Sequence, residues 1–417
     1  MLNPLQIAGS LLILAGILSL QPVLGSHLLP AEFSDFPGNV VAAIASLVAI
    51  GTGLSMVFWR TRIAVLGISG KETWARAFLL TLPILLLVSA EGVLIAADKL
   101  DEPVGADDLK ARKMMKANWG KQRYKDVPLV APTRSTVFNV NRDGFRTYEL
   151  DTPRTSEHRI LLLGGSTGFG WGVADAHTIG SNLERMLTRK TGKTVKVFNL
   201  SVPAVAFDTE NLMLRDFGAE VSADVVVFYH GANDGLAWFE QTVGRADARQ
   251  TLAPSIFSRE ALLHYAYKSR VFRLAVEAFT PPSPGDTGPD IDVSKAVEVY
   301  DSDFRESQRL CMSTKCLYVI QPILFNKRPR TTREVKIHRR ASALFPFYEQ
   351  MYDKYTDALI NRGFANHVDA RGVFEGSSED IFLDYVHVSP RGNEMIARFI
   401  VEALCTGKYV PCRDLQE

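Results

Sequence analysis

The chain has 417 residues and carries 47 Lys and Arg against 46 Asp and Glu, a formal net charge of +1. That balance excludes the basic excess of a nucleic-acid binder and the composition of a disordered acidic chain. Mean hydropathy is +0.02, but this averages two unlike parts: the first 98 residues hold only nine charged side chains, and the remainder has an ordinary soluble composition.

Residues 5–25, 39–59 and 77–97 are apolar stretches of 21 residues each. Roughly 20 helical residues cross a hydrocarbon core of about 30 Å, so the pattern predicts three transmembrane helices. The first two lack charge, and the third holds only Glu91. A cleaved signal peptide is the competing reading of the first stretch. The absence of Lys or Arg in residues 1–6 and the two spans that follow weigh against it.

The short loops set the orientation. Residues 26–38 carry Glu32 and Asp35, whereas residues 60–76 carry Arg60, Arg62, Lys71 and Arg76. The positive-inside rule places the second loop and the N-terminus in the cytoplasm, and everything beyond residue 97 outside, in the periplasm if the membrane is a bacterial inner one. Lys110, Arg112, Lys113 and Lys116 run against this, but they are interleaved with Asp101, Glu102, Asp107 and Asp108. Glu91 lies about 9 Å inside the outer end of its helix. It is either a functional group or an interfacial carboxyl paired with a neighbouring helix.

Residues 99–140 read as an extracytoplasmic linker, helix-like at 109–118 and loop-like at 127–141, leading into a domain over 141–417. From residue 159, strands at 159–163, 194–199, 224–229, 317–323 and 366–369 alternate with helices at 178–189, 208–219, 293–311, 342–361 and 390–404. A further helix is predicted at 261–279, and 280–292 is a Pro/Gly/Asp loop. This alternation predicts an α/β fold with a parallel sheet covered on both faces.

Four cysteines, Cys311, Cys316, Cys405 and Cys412, all fall in the segment placed outside. An even number there suggests two disulfides, with the sequence-near pairs 311–316 and 405–412 favoured, although four cysteines allow three connectivities. The spacings fit a zinc site poorly.

In parallel sheets the chemistry gathers at the carboxyl ends of strands. After the first strand comes Gly164-Gly165-Ser166-Thr167-Gly168-Phe169-Gly170, and after the second Asn199-Leu200-Ser201-Val202-Pro203-Ala204. After the third comes His230-Gly231-Ala232-Asn233-Asp234, and near the C-terminus Asp384-Tyr385-Val386-His387. Ser166 is a nucleophile that needs a base. His387 can take its proton, and Asp384 can fix the imidazole tautomer. The Asn233 amide and backbone N–H groups at Ser166 and Ala204 can face a developing oxyanion. Gly231 admits close approach of the chain to the pocket. The glycine-rich turn lacks the Lys of a phosphate-binding loop.

These four blocks in order resemble the SGNH (GDSL-type) hydrolase family. The resemblance covers about residues 141–404 and includes the lead-in Asn141-Arg142-Asp143-Gly144-Phe145-Arg146. It implies a flavodoxin-like three-layer α/β/α domain with serine esterase or acyl-transfer activity. It further implies Ser166, Asp384 and His387 as catalytic residues, and an oxyanion hole of Ser166, Ala204 and Asn233 supported by Gly165, Gly231 and Asp234. Neither metal nor cofactor is expected. Gly165 stands where the family has Asp, and Ala204 where it has Gly.

The expected function is therefore a membrane-anchored extracytoplasmic serine esterase, acting on O-acetyl or O-acyl groups of an envelope glycan. The alternatives are an O-acyltransferase working with a membrane acyl-donor partner, a lipid esterase, or a non-catalytic glycan-binding protein. Three other features have two readings each. His230 is a packing residue or a substrate contact. The basic run Arg328–Arg340 meets an anionic group or is a solvated helix start. Phe169 and Trp171 line a pocket or pack in the core.

Overall fold

The structure is a computed structural model that describes residues 103–242, 291–345, 347–364 and 366–413. The predicted spans, Glu91 and the predicted helix at 261–279 lie outside the described residues. Among the described residues no helix is long and apolar enough to cross a membrane.

The central sheet contains β3 (His158–Gly164), β4 (Val195–Asn199), β5 (Val225–His230), β6 (Lys315–Ile320) and β7 (His367–Asp369). All are parallel, in the order β4-β3-β5-β6-β7. This is the flavodoxin-like order, with the chain reversing direction across the sheet between β3 and β5.

The near-continuous apolar runs follow from burial of both sheet faces. In β3, Leu161 and Leu163 face one layer while Ile160 and Leu162 face the other. The second layer is closed by α3 (Ile179–Thr191) and α9 (Pro390–Thr406), through Leu183, Leu187, Ile396, Ile400 and Leu404. The first is closed by α4 (Phe207–Val221), α6 (Ser294–Leu310) and α8 (Tyr348–Asn361), through Met213, Phe304, Tyr352 and Tyr355. The Ser389 hydroxyl accepts the Gly392 N–H at 3.3 Å and Pro390 opens α9, so the helix start is fixed three positions after His387.

Two expectations need correction. Residues 103–140 are not a linker. They form α1 (Ala106–Asn118) and an antiparallel hairpin of β1 (Trp119–Tyr124) and β2 (Val127–Val130). Ala111, Met115, Val130 and Phe138 pack with Phe169 in a core of their own. The buried Asp108 carboxylate accepts the Ala174 N–H at 2.8 Å and pairs with His177 Nδ1 at 2.7 Å. The helix expected over 342–361 is instead two, α7 (Thr332–Leu344) and α8. Phe347 has φ +68, which a continuous right-handed helix cannot contain. Cys311–Cys316 and Cys405–Cys412 are both disulfides.

Candidate active site

The carboxyl ends of β3, β4 and β5 lie side by side, with Leu162 opposite Asn199 and Gly164 opposite Tyr229. The loops after them therefore share one crevice at the point where the sheet order reverses. Ser166 opens the single helical turn α2 (Ser166–Phe169), closed by Gly170 at φ +81. The Ser166 N–H is first in that turn and has no intrahelical acceptor.

His387 arrives from the other end of the chain. Its Nε2 is 2.7 Å from Ser166 Oγ, and its Nδ1 is 2.6 Å from Asp384 Oδ2. The other oxygen of Asp384 accepts the N–H groups of Val386 (2.9 Å) and His387 (2.8 Å). Burial opposes charge on Asp384, but the His387 ring and these N–H donors outweigh it and hold the carboxyl below its usual range. An ionised Asp384 fixes the Nδ1–H tautomer, leaving the Nε2 lone pair toward the serine hydroxyl.

Asn233 follows β5 in α5 (Ala232–Thr242), and its Nδ2 donates to the Val205 carbonyl at 2.6 Å. Asp234 joins two loops: its carboxylate accepts the Phe207 N–H at 3.0 Å and the Gly231 N–H at 3.2 Å. Gly231 has φ +117 and Ala204 φ +61. The Ala204 N–H has no acceptor among the described residues. Ser166, Ala204 and Asn233 thus stand in the segments that follow three adjoining strands.

Solved structures similar to the chain were found at low identity. A lipase from a goat rumen metagenome is 14% identical, covering 59% of this chain and 97% of that one at a TM-score of 0.35. A lipase/acylhydrolase from Enterococcus faecalis is 14% identical, covering 62% and 100% at 0.37. A putative lipolytic protein of the G-D-S-L family from Desulfitobacterium hafniense is 7% identical, covering 60% and 100% at 0.35. No protein-family model matches the chain, and no curated protein does. The sheet order and the Ser166–His387–Asp384 geometry stand by themselves.

Several residues that hold the site were not singled out from the sequence. Asn199 Nδ2 donates to the Gly168 carbonyl at 2.9 Å while its Oδ1 accepts the Ser201 N–H at 3.0 Å, tying the second loop to the Ser166 turn. Arg146, the last residue of the lead-in motif, is buried. It donates to the carbonyls of Phe169 (3.2 Å), Gly170 (2.7 Å) and Val173 (2.8 Å), and its Nε pairs with Asp175 at 2.7 Å. Its motif was visible, but its destination was not.

The features with two readings resolve as follows. His230 is buried, with Nδ1 2.9 Å from Glu210 Oε2 and Nε2 2.9 Å from Tyr300 Oη, which is itself 2.7 Å from His367 Nε2. Burial pushes the Glu210 carboxyl well up and the His230 imidazole down to about 4, so the pair is neutral, with its proton on the carboxyl. Phe169 is core, and Trp171 packs against the same cluster with its ring 6.2 Å from Trp119. Much of the basic run is spent internally. Arg328 donates to Phe325 and Lys327 carbonyls, Arg330 to Leu324 and Phe325 carbonyls, and His338 to Glu349.

Proposed function

We propose that the chain is an SGNH-type serine ester hydrolase, held at a membrane by its first hundred residues and acting outside the cytoplasm on O-acyl groups of an envelope glycan. The observation that carries the chemistry is the 2.7 Å contact of Ser166 Oγ with His387 Nε2, backed by Asp384. Ser166 Oγ attacks the ester carbonyl as His387 Nε2 takes its proton. The oxyanion is met by the N–H groups of Ser166 and Ala204 and by the Asn233 amide. The intermediate collapses, and His387 returns the proton to the leaving alcohol, which leaves an acyl group on Ser166. Water attacks the acyl carbonyl as His387 Nε2 takes its proton, and the acid leaves as that proton passes to Ser166 Oγ. A sugar hydroxyl in place of that water turns the same enzyme into an acyltransferase, because the first half-reaction is common to both.

Anchoring is supported by the three 21-residue apolar stretches and the basic loop between the second and third. The two disulfides favour an oxidising compartment. The test is treatment of the purified full-length chain with a fluorophosphonate probe and with p-nitrophenyl acetate. Wild type is expected to label and turn over, and Ser166→Ala and His387→Ala to do neither. Failure of a folded wild-type chain to label would sink the enzyme reading in favour of a binding role.

A further inference from the structure

The first turn of α7 grips the backbone that leads into the triad's last two members. Lys327 Nζ and Glu334 Oε2 are 2.5 Å apart, and both side chains are fully buried. Lys327 Nζ also donates to the carbonyls of Pro329 (3.0 Å) and Glu379 (3.1 Å). Glu334 Oε1 accepts the N–H groups of Ile381 (2.9 Å) and Phe382 (3.2 Å), and its Oε2 accepts the Thr331 N–H at 3.0 Å. The adjacent Arg333 guanidinium donates to the carbonyls of Phe382 and Leu383. Beyond them, the Leu383 N–H donates to the His387 carbonyl at 2.8 Å, and Phe382 pairs with Val388 in an antiparallel bridge. The gripped segment is therefore one side of the narrow turn that carries Asp384 and His387.

A buried ion pair is a weak source of stability compared with apolar packing of the same volume, but its geometry is specific. We propose that Arg333, together with the Lys327–Glu334 pair, positions the Asp384–His387 turn at hydrogen-bonding distance from Ser166. This rests on the catalytic reading of those three residues. Arg333 is a positioning residue, since it acts on the triad through the carbonyls of Phe382 and Leu383. A misplacement of about 1 Å is enough to cost up to roughly a hundredfold in rate.

The experiment compares full-length wild type, Arg333→Ala, Arg333→Lys and Ser166→Ala by fluorophosphonate inactivation rate, by kcat and KM for p-nitrophenyl acetate, and by melting temperature. Arg333→Ala is expected to lose about tenfold in kcat and in inactivation rate with KM within about twofold, and Arg333→Lys to recover most of that loss. Unchanged kcat in folded Arg333→Ala, or a loss confined to KM, overturns the proposal. If Arg333→Ala does not fold, Arg333→Gln is read in its place: a kcat loss with KM within about twofold that Arg333→Lys recovers supports the proposal, and a wild-type kcat or a KM-only loss in folded Arg333→Gln overturns it. Absence of labelling in wild type brings down the catalytic reading instead, a result distinct from wild-type labelling that Arg333→Ala shares in full.

Discussion

The Asn233 amide fills the space that a side chain at Gly165 would need. A Cβ on residue 165 would lie 2.4 Å from Asn233 Nδ2 and 3.4 Å from the Val205 carbonyl. The bare backbone before Ser166 lets the amide of the third loop sit against the nucleophile turn. Gly165→Ala is expected to push Asn233 off that position and lower kcat by about tenfold or more, toward the roughly hundred- to thousandfold that loss of an oxyanion donor costs. Melting temperature and kcat measured together check it: a stable Gly165→Ala enzyme of wild-type kcat contradicts this role for the contact.

Ala204 makes the opposite compromise. Its φ of +61 is a conformation that suits glycine, and the Cβ there is strained. Ala204→Gly is expected to leave kcat within about threefold and to raise stability by up to about 1 kcal/mol, the relief exceeding the entropy lost to glycine in the unfolded chain. Denaturant unfolding of the two proteins reads the difference.

The buried Glu210–His230 pair predicts a pH dependence of stability. Burial raises the Glu210 carboxyl well above 4.5 and lowers His230 to about 4, so the folded pair holds one proton across the neutral range. The raised carboxyl stabilises below its unfolded pKa and loses that contribution as pH rises. The lowered imidazole stabilises above its unfolded pKa and loses that contribution as pH falls toward about 4. The unfolded chain also holds one proton on the pair between about pH 4.5 and 6.5, so this contribution is flat there. Above about pH 6.5 the unfolded chain gives up that proton while the raised Glu210 carboxyl retains it, so stability falls as pH rises. Glu210→Gln is expected to abolish the fall between pH 6.5 and 8, as read by unfolding at several pH values.

Cys405 lies in the last turn of α9 and Cys412 beyond its end, seven positions apart. Opening that loop with Cys405→Ser/Cys412→Ser is expected to cost about 2.5 kcal/mol from unfolded-chain entropy. Thiol titration of the denatured wild type without reductant is expected to find no free cysteine. Four titrating thiols in protein from its native compartment would contradict an oxidising location.

The elements easiest to see in the sequence were those governed by neighbours along the chain. Buried strands such as 159–163 show as apolar runs, Gly165-Ser166 and Asn233 follow strand ends, and Asp384 and His387 come last in an order that few chemistries share. The hairpin at 119–130 was hidden because Trp119–Tyr124 is largely polar and lacks clear alternation. The break between α7 and α8 had a signal in Pro346, a residue that interrupts helices, but the apolar pattern runs through it. The fate of the basic run was invisible for a different reason. The acceptors of Arg333 lie about 50 positions away, and no local pattern encodes a partner at that range.

Ser166 and His387 are 221 positions apart. A ribosome finishes the serine long before its base exists, and the strands flanking the serine are complete well ahead of the turn that arms it. During synthesis the chain therefore carries a dormant hydroxyl, no more reactive than any other serine. The Ser166–His387 contact forms only when that last segment docks, so on the proposed reading the serine is armed at the end of folding.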